Sequence, residues 1–311
     1  MVESTQDIYE KGVGTVPGEN PAWAYPARPN QDAVEKFFTP EALAYVPTDM
    51  DIFITNSKGQ QQRLIFHEPL PLKDSEKEYL ASFRKYLKDN NLTIPQGYDT
   101  ESRLVLRFLQ GLAFNNENTH RVINEHSLWA AQAMPFKIDP VEDLITKGVV
   151  YSFKRDIGQR PVIIINVERL LNCKADLDQL VFLANFQIDW LIRNCLITGQ
   201  IENWTVIIDF TNVGVTQIPQ KTLQGMISAM SRNYRGRMYR LFAVHTAWLV
   251  RGLYKIVRPM LDEFTSSKIN IYGSSDFEQD ILKLVPAENL EQKYGGKCPN
   301  KVDNYFPPTM K

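Results

Sequence analysis

The sequence has no apolar run of about 20 residues, the length that a membrane-spanning helix needs. Its first residues, Met1 to Lys11, lack the basic and apolar blocks of a signal peptide. There are three cysteines, an odd number at long spacings, which argues against a disulfide framework or a zinc site. We therefore expect a cytoplasmic location and free thiols at Cys173, Cys195 and Cys298.

Motifs for catalysis and metal binding are also lacking. The four histidines include no pair at metal-ligand spacing, and the chain has no nucleophile elbow, phosphate-binding loop or dinucleotide-binding glycine turn. Asp209 and His245 each end a predicted strand, and we expect structural roles for both, with Asp209 capping the turn that follows it. The sequence predicts no enzyme, no cofactor and no metal.

Acidic residues are missing from one long segment. Phe210–Leu261 contains no Asp or Glu but eight Lys or Arg, in a chain whose net charge is -1. Such a segment creates a local positive field. This field attracts anionic phosphate, whether of a lipid, a nucleic acid or an acidic protein. A binder of single-stranded nucleic acid needs aromatic residues on an exposed sheet, whereas Tyr234, Tyr239 and Trp248 lie in or beside predicted helices. We expect no nucleic-acid partner.

The pattern of apolar residues divides the chain. Residues 1–72 are proline-rich and aromatic without a period, which predicts an extended N-terminal arm. It is either a disordered tail or a segment that docks on this chain or on a protein partner. Helical spacing predicts three helices, at 73–90, 100–112 and 117–133, in a helical subdomain over residues 73–147. Alternating apolar strands and helices predict a mostly parallel sheet covered by helices over residues 148–300, followed by a C-terminal tail over 301–311.

Shorter elements are predicted from turn residues and apolar runs. A candidate strand pair, 51–55 with 63–66, flanks the turn 56–59 in the N-terminal arm. Within the α/β region, we predict a strand at Trp204–Asp209 and a long helix at Leu177–Thr198.

The predicted helix Ala247–Asp262 has an unusual distribution of side chains. Arg251, Lys255 and Arg258 form one basic stripe, and apolar residues cover a wider arc than one core-facing side needs. This favours a surface that meets a membrane or covers an apolar cavity, while the alternative is a core helix with a solvated basic edge. The apolar candidates for such a cover and its pocket are Trp248, Leu249, Leu253, Ile256, Val257 and Met260.

Three segments carry a resemblance to a known family. Leu104–Asn115 resembles the Leu-Leu-Arg-Phe-Leu helix that opens CRAL-TRIO lipid-binding proteins, and Gly158–Val162 resembles their Gly-Arg-Pro-Val segment at the start of a strand. Val206–Gly296 carries the strongest match, which includes Ile207-Ile208-Asp209 and ends in Tyr294-Gly295-Gly296. The resemblance covers residues 73–300.

The resemblance implies a fold and a site. It implies a helical N-terminal bundle and a mostly parallel sheet covered by helices, which encloses an apolar lipid pocket closed by a gate helix at 247–262. In phosphoinositide-binding members a Thr and a Lys just after the gate contact the headgroup, and they match Thr265 and Lys268; a helix-capping role is the alternative. Other headgroup positions of the family differ here, at Leu112–Ala113 and Gly236.

Two hypotheses about function follow. We expect a non-enzymatic peripheral membrane protein that encloses a phospholipid or other hydrophobic ligand and transfers or presents it at a membrane surface. The alternative is a CRAL-TRIO scaffold that acts as a structural or adaptor subunit of a larger assembly, with residues 1–70 binding a protein partner. The first requires an apolar pocket, and the second requires an N-terminal arm that contacts another protein.

Overall fold

The computed structural model describes residues 24–56, 58–98, 103–214, 220–246, 252, 254, 258–273 and 276–311. They form two compact units, one of residues 24–26 with Phe66–Phe136 and one of Ala27–Ile65 with Lys137–Lys311. Over these residues, no helix is both long and apolar enough to cross a membrane.

The N-terminal segment, defined as residues 27–65, forms short helices and a β-hairpin. Side chains begin the first two helices: Asn30 Oδ1 accepts the Ala33 N–H at 2.8 Å, and Thr39 Oγ1 accepts the Ala42 N–H at 3.2 Å. In the predicted turn the Gly59 N–H donates to the Asn56 carbonyl, and the paired strands are 53–55 and 61–63. The elements are α1 (Gln31–Phe37), α2 (Pro40–Ala44), α3 (Asp49–Ile52), β1 (Phe53–Thr55) and β2 (Gln61–Arg63).

The helical unit follows the periodic apolar residues of the sequence. Leu80, Phe83, Leu109 and Ile123 belong to its core and are at most 4% exposed. The three helices predicted here are therefore confirmed, with ends that differ by up to four residues. They are α4 (Asp74–Asp89), α5 (Leu104–Gly111) and α6 (Asn116–Ala133).

The α/β unit contains a five-stranded sheet in the order β3-β4-β5-β6-β7, with β3 antiparallel to β4 and the remaining pairs parallel. This confirms the predicted mostly parallel sheet. Its elements are α7 (Glu142–Thr146), β3 (Val150–Arg155), β4 (Pro161–Asn166), α8 (Val167–Asn172), α9 (Leu177–Cys195), β5 (Trp204–Asp209), α10 (Gln220–Asn233), β6 (Met238–Val244), α11 (Glu263–Ser267), β7 (Ile269–Ile271) and α12 (Phe277–Leu282).

The strand order places the connections on one face of the sheet. Because β4 to β7 follow one another in sequence and right-handed crossovers are the rule, the crossovers all lie on the same side, which we call the crossover face. The opposite face, called the packed face, is covered by C-terminal residues. There Ile164, Ile207 and Phe242 form one buried cluster with Phe277 and Tyr294.

The domain boundaries differ from those predicted at residues 72, 147 and 300. The N-terminal segment and residues 137–147 belong to the α/β unit, and so does the C-terminal tail. In the tail, the Lys154 N–H donates to the Thr309 carbonyl at 2.6 Å, and Tyr305 and Met310 are each 3% exposed. The tail therefore extends the packing of the α/β unit.

A buried ion-pair network holds the N-terminal segment to the sheet. Arg160 Nε donates to Asp156 Oδ2, and Arg160 Nη1 donates to Asp51 Oδ1, both at 2.9 Å. The guanidinium carbon lies 3.4 Å from the centroid of the Tyr239 ring. All three charged side chains are at most 8% exposed. Burial is the largest single effect on the pKa of Arg160 and lowers it, but the interactions with Asp156, Tyr239 and Asp51 together raise it overall.

Neutral donors complete the network. Asp51 Oδ2 accepts the Tyr45 hydroxyl at 2.6 Å and the Thr48 hydroxyl at 2.7 Å, and Asp156 Oδ2 accepts the Thr205 hydroxyl at 2.7 Å. Burial raises the pKa of Asp51, yet these hydrogen bonds together with Arg160 lower it overall. Gly158 is required beside Arg160, because a Cβ there would come within 2.4 Å of the guanidinium.

Two further side chains bind backbone carbonyls of the N-terminal segment. Arg155, 2% exposed, donates to the carbonyls of Phe37 at 3.0 Å and Cys195 at 3.1 Å, and burial lowers the pKa of its guanidinium to about 10. Gln200 Nε2 donates to the Tyr45 carbonyl at 2.6 Å and the Leu43 carbonyl at 3.1 Å. The segment is therefore fixed at several points along its length.

We expect Arg160→Met to lower the free energy of unfolding by about 3–5 kcal/mol, because it leaves Asp51 and Asp156 as buried carboxylates without their cation. Urea unfolding monitored by circular dichroism measures the change. Lys36→Met is the control: it removes an exposed pair with Asp32 in the same segment, whose side chains are 61% and 70% exposed. Its expected effect is below about 0.5 kcal/mol, so equal effects of the two variants would refute the assigned role.

Candidate functional site

The crossover face carries two rows of apolar side chains. Strand register brings them side by side, since residues paired between neighbouring strands point to the same face. The first row is Ile163, Val206, Leu241 and Ile269, and the second row is Ile165, Ile208, Ala243 and Ile271.

These rows are incompletely buried. Ile165, Ile208 and Leu241 are partly exposed, whereas Ile164 and Ile207, their neighbours on the packed face, are at most 1% exposed. The apolar side chains of α10, which are also partly exposed, are Leu223, Met226, Ile227 and Met230. Protein interiors are normally close-packed. We infer that an apolar space remains over β5 to β7, floored by the crossover face.

Helix α10 packs closely on α9. A Cβ at Gly225 would come within 2.7 Å of Leu177 Cδ2, so glycine permits the approach of the two helices. At the end of α10, the Tyr234 hydroxyl donates to the Asn185 carbonyl of α9 at 3.4 Å. The two helices are therefore held together at two points.

A cleft of about 440 Å³ lies where β5 and β6 end. The hydrogen bonding of the sheet continues to it: the Phe210 N–H donates to the Val244 carbonyl at 3.1 Å, and the Thr246 N–H donates to the Tyr272 carbonyl at 3.0 Å. Ligands collect beyond the carboxyl ends of parallel strands. Lining the cleft are Phe210, Asn212, Val213, Gly214, His245, Thr246 and Gly273.

The two candidate polar residues at these strand ends have structural contacts. Asp209 Oδ1 accepts the Thr211 N–H at 2.9 Å and the Thr211 hydroxyl at 2.6 Å, which confirms the predicted turn cap. Asp209 Oδ2 also accepts the Tyr294 hydroxyl at 2.9 Å. His245 packs edge-on against Phe277, with ring centroids 4.8 Å apart, and also lines the cleft.

Most of the predicted gate lies outside the described residues. Arg258 is described and exposed, in a short 3-10 turn, Arg258–Met260. The backbone of Met260 is described, but its side chain is outside the described part. The predicted residues that lie wholly outside it are Trp248, Leu249, Arg251, Leu253, Lys255, Ile256 and Val257.

The two predicted headgroup residues are on or next to α11, at the start of β7. Asp262 caps this helix: its Oδ1 accepts the Thr265 N–H at 2.8 Å, and its Oδ2 accepts the Thr265 hydroxyl at 2.5 Å. Lys268 follows the helix and is 3% exposed. Thr265 therefore lies in the first turn of α11, and Lys268 is the C-cap residue of this helix, with its N–H donating to the carbonyls of Thr265 and Ser266.

Arg235 joins this polar group and was not singled out from the sequence as a site residue. Burial lowers the pKa of its guanidinium, repulsion by Arg232 lowers it further, and attraction by Asp262 raises it. Asp262 therefore acts electrostatically on both α11 and Arg235. The sequence feature that could have identified Arg235 is its position in the acid-free segment, directly before Gly236.

The polar group contains two cations that are partly or wholly removed from solvent. Over the described residues, no cluster of three or more His, Cys, Asp or Glu side chains is suited to a metal ion. Arg235 is partly buried and is attracted by Asp262, and Lys268 is 3% exposed at the end of α11. Phosphate is the common biological anion that arginine and lysine bind in this way.

Comparisons with known proteins identify the fold. The model of the CRAL/TRIO domain matches residues 145–296. The Sec14 cytosolic factor of Schizosaccharomyces pombe is 26% identical over 62% of this chain and 74% of its own length. The phosphatidylinositol/phosphatidylcholine transfer protein SFH7 of Arabidopsis thaliana is 24% identical over 71% of this chain and 44% of its own length.

A solved structure supports the same fold. The crystal structure of Sfh5 matches with a TM-score of 0.56 and 16% identity, over 77% of this chain and 95% of that chain. The expected α/β fold and the family resemblance are thereby confirmed. Residues 145–296 match the model of the CRAL/TRIO domain, and the relatives and the solved structure agree with that match.

Proposed function

We propose that this chain is a non-enzymatic protein that binds a phospholipid over the crossover face and transfers or presents it at membranes. The observation that carries the proposal is the partly exposed apolar floor, represented by Ile165, Ile208 and Leu241. Each CH₂ group moved from water to such a space gains about 0.8 kcal/mol, so an acyl chain of ~16 carbons gains on the order of 10 kcal/mol. The cleft beyond the ends of β5 and β6, at about 440 Å³, has a volume typical of ligand sites.

The relatives support a cytoplasmic protein that acts peripherally at membranes. One is named a cytosolic factor, and another is named for transfer of phosphatidylinositol and phosphatidylcholine. The basic residues Arg251, Lys255 and Arg258 remain the predicted membrane-facing stripe, and the apolar gate residues named above remain the predicted cover. Attraction between such a stripe and anionic lipids favours a peripheral association.

We assign the phosphate of the lipid headgroup to the polar group at α11. Lys268 and Arg235 supply positive charge there, and burial strengthens their interaction with an anion. The hydroxyl proton of Thr265 is directed to Asp262, so Thr265 orients the carboxylate in the absence of a ligand. Because Gly236 and Leu112–Ala113 lack the headgroup side chains of phosphoinositide-binding members, the assignment is to the phosphate rather than to inositol.

The adaptor alternative receives no support from the described N-terminal segment. Residues 27–65 would be part of an arm that binds another protein, but they pack on the α/β unit of their own chain through Arg155, Arg160 and Gln200. Of the two docking modes predicted for the arm, the described part shows the one on this chain.

Ile208→Trp tests the lipid space. The larger side chain fills the space over the crossover face, and we expect it to reduce bound phospholipid at least threefold. Lipid is extracted from the purified chain, before and after incubation with phosphatidylcholine vesicles, and quantified by mass spectrometry against protein. Wild-type protein that carries no lipid under either condition would contradict the proposed function.

Ile207→Val is the matched control on the same strand. Ile207 is completely buried on the packed face, so its truncation costs about 0.5–1.5 kcal/mol of stability and leaves lipid content unchanged. Thermal unfolding of both variants separates loss of stability from loss of the lipid space. A parallel loss of lipid in both variants would show that the crossover face has no special role.

Lys268→Met tests the headgroup assignment. Loss of one charge-assisted hydrogen bond corresponds to about a tenfold loss of affinity for a phosphate-bearing lipid. The measurement is competition between phosphatidylinositol and an uncharged diacylglycerol for the loaded protein. Lys268→Arg keeps the charge and should retain most of the preference, while Lys283→Met removes an exposed cation elsewhere and should not alter it. An unchanged preference in Lys268→Met would remove Lys268 from the site.

A further inference from the structure

The β-hairpin of the N-terminal segment has a preorganised tip. Asn56, 6% exposed, accepts the N–H groups of Lys58 and Gln60 on its Oδ1, both at 3.0 Å. The Gly59 N–H donates to the Asn56 carbonyl at 3.0 Å, and Gly59 has a positive φ of 75° that suits glycine. These contacts hold the backbone of Lys58 in a defined position.

The side chain of Lys58 crosses to the candidate headgroup site. Its Nζ lies 3.0 Å from Glu263 Oε2, and Glu263 is the first residue of α11. The same helix contains Thr265 and ends directly before Lys268. A residue 205 positions away in the chain therefore contacts the helix on which the headgroup residues depend.

A buried ion pair holds the hairpin at its base, and an exposed ion pair holds it at its tip. At its base, the side chains of the Arg160–Asp51 pair are 4% and 8% exposed. At its tip, the side chains of Lys58 and Glu263 are 67% and 38% exposed. Exposed ion pairs contribute little and are screened by salt, whereas breaking a buried pair is strongly unfavourable. The tip can therefore detach while the base remains in place.

We propose that the hairpin, described over residues 53–56 and 58–63, is a latch on α11 that restrains access of lipid to the headgroup site. The proposal rests on the proposed function. The Lys58–Glu263 pair is the closing contact, and an anionic membrane surface opens it by offering Lys58 other negative groups. Closure keeps the lipid enclosed in solution, and release favours exchange at the membrane.

Lipid exchange by the full chain tests the latch. The protein is loaded with pyrene-labelled phosphatidylcholine, and its transfer to phosphatidylcholine vesicles is followed by fluorescence. We expect Lys58→Gln and Glu263→Gln each to raise the exchange rate about two- to fivefold, the range that an exposed ion pair can supply. The reversed pair Lys58→Glu with Glu263→Lys should return the rate to near the wild-type value.

Three comparisons make the result specific. Lys283→Gln breaks an equally exposed pair with Asp280 that does not contact α11, and it should leave the rate unchanged. Adding phosphatidylserine to the vesicles should accelerate wild-type exchange more than exchange by Glu263→Gln, whose latch is already open. Salt should likewise accelerate the wild type more than this variant.

The outcomes separate the latch from the proposed function. Amide hydrogen exchange of residues 263–267 should increase in Lys58→Gln, and this readout needs no lipid. Single variants that exchange lipid at the wild-type rate, or a reversed pair as fast as the single variants, would overturn the latch. Equal stimulation of the wild type and Glu263→Gln by phosphatidylserine would overturn opening by an anionic surface. Protein that takes up no lipid, with unchanged amide exchange, would overturn both proposals.

Discussion

The position of the N-terminal segment depends on one buried guanidinium. Arg160 stands between two buried carboxylates, Asp51 and Asp156, so neither acid can remain charged in the interior without it. Hydrogen bonds from Tyr45, Thr48 and Thr205 supply the rest of the stabilisation that water would otherwise give. Because Asp51 is 109 positions from Arg160, the turn that begins a strand of the sheet also determines where residues 27–65 lie.

The strand order accounts for the asymmetry of the sheet. When successive parallel strands are added in one direction, their crossovers share a face, and the other face is free for a later part of the chain. C-terminal residues pack on that face completely, and Ile207 is inaccessible there. The crossover helices meet each other through Gly225 and Leu177, and the sheet beneath them remains partly exposed. A space for an apolar ligand thus follows from topology together with incomplete packing on one side.

The sequence predicts the helices and strands whose apolar pattern is complete within one short stretch of chain. Helix α4 and strand β5 were located from apolar periodicity, because each forms its pattern within about one element's length. Ile207 and Ile208 are indistinguishable in the sequence, and only the register of the folded sheet places one in a core and the other over a space. Local patterns also could not predict how residues 27–65 pack on the sheet, because long-range contacts such as that of Asp51 with Arg160 determine it. Arg235 was missed as a site residue for the same reason: its relation to Asp262 exists only in three dimensions.

Lipid carriers face opposing requirements, which the distribution of charge in the α/β unit can satisfy. An enclosed lipid must not escape in water, yet it must leave within a short encounter with a membrane. Elements that move in function are drawn from the least stable parts of a structure. Here a deeply buried pair at Arg160 lies at the base of the hairpin, and an exposed pair of Lys58 with Glu263 joins its tip to α11. Since screening acts on exposed charges and hardly on buried ones, a charged membrane surface can act on the tip without disturbing the base.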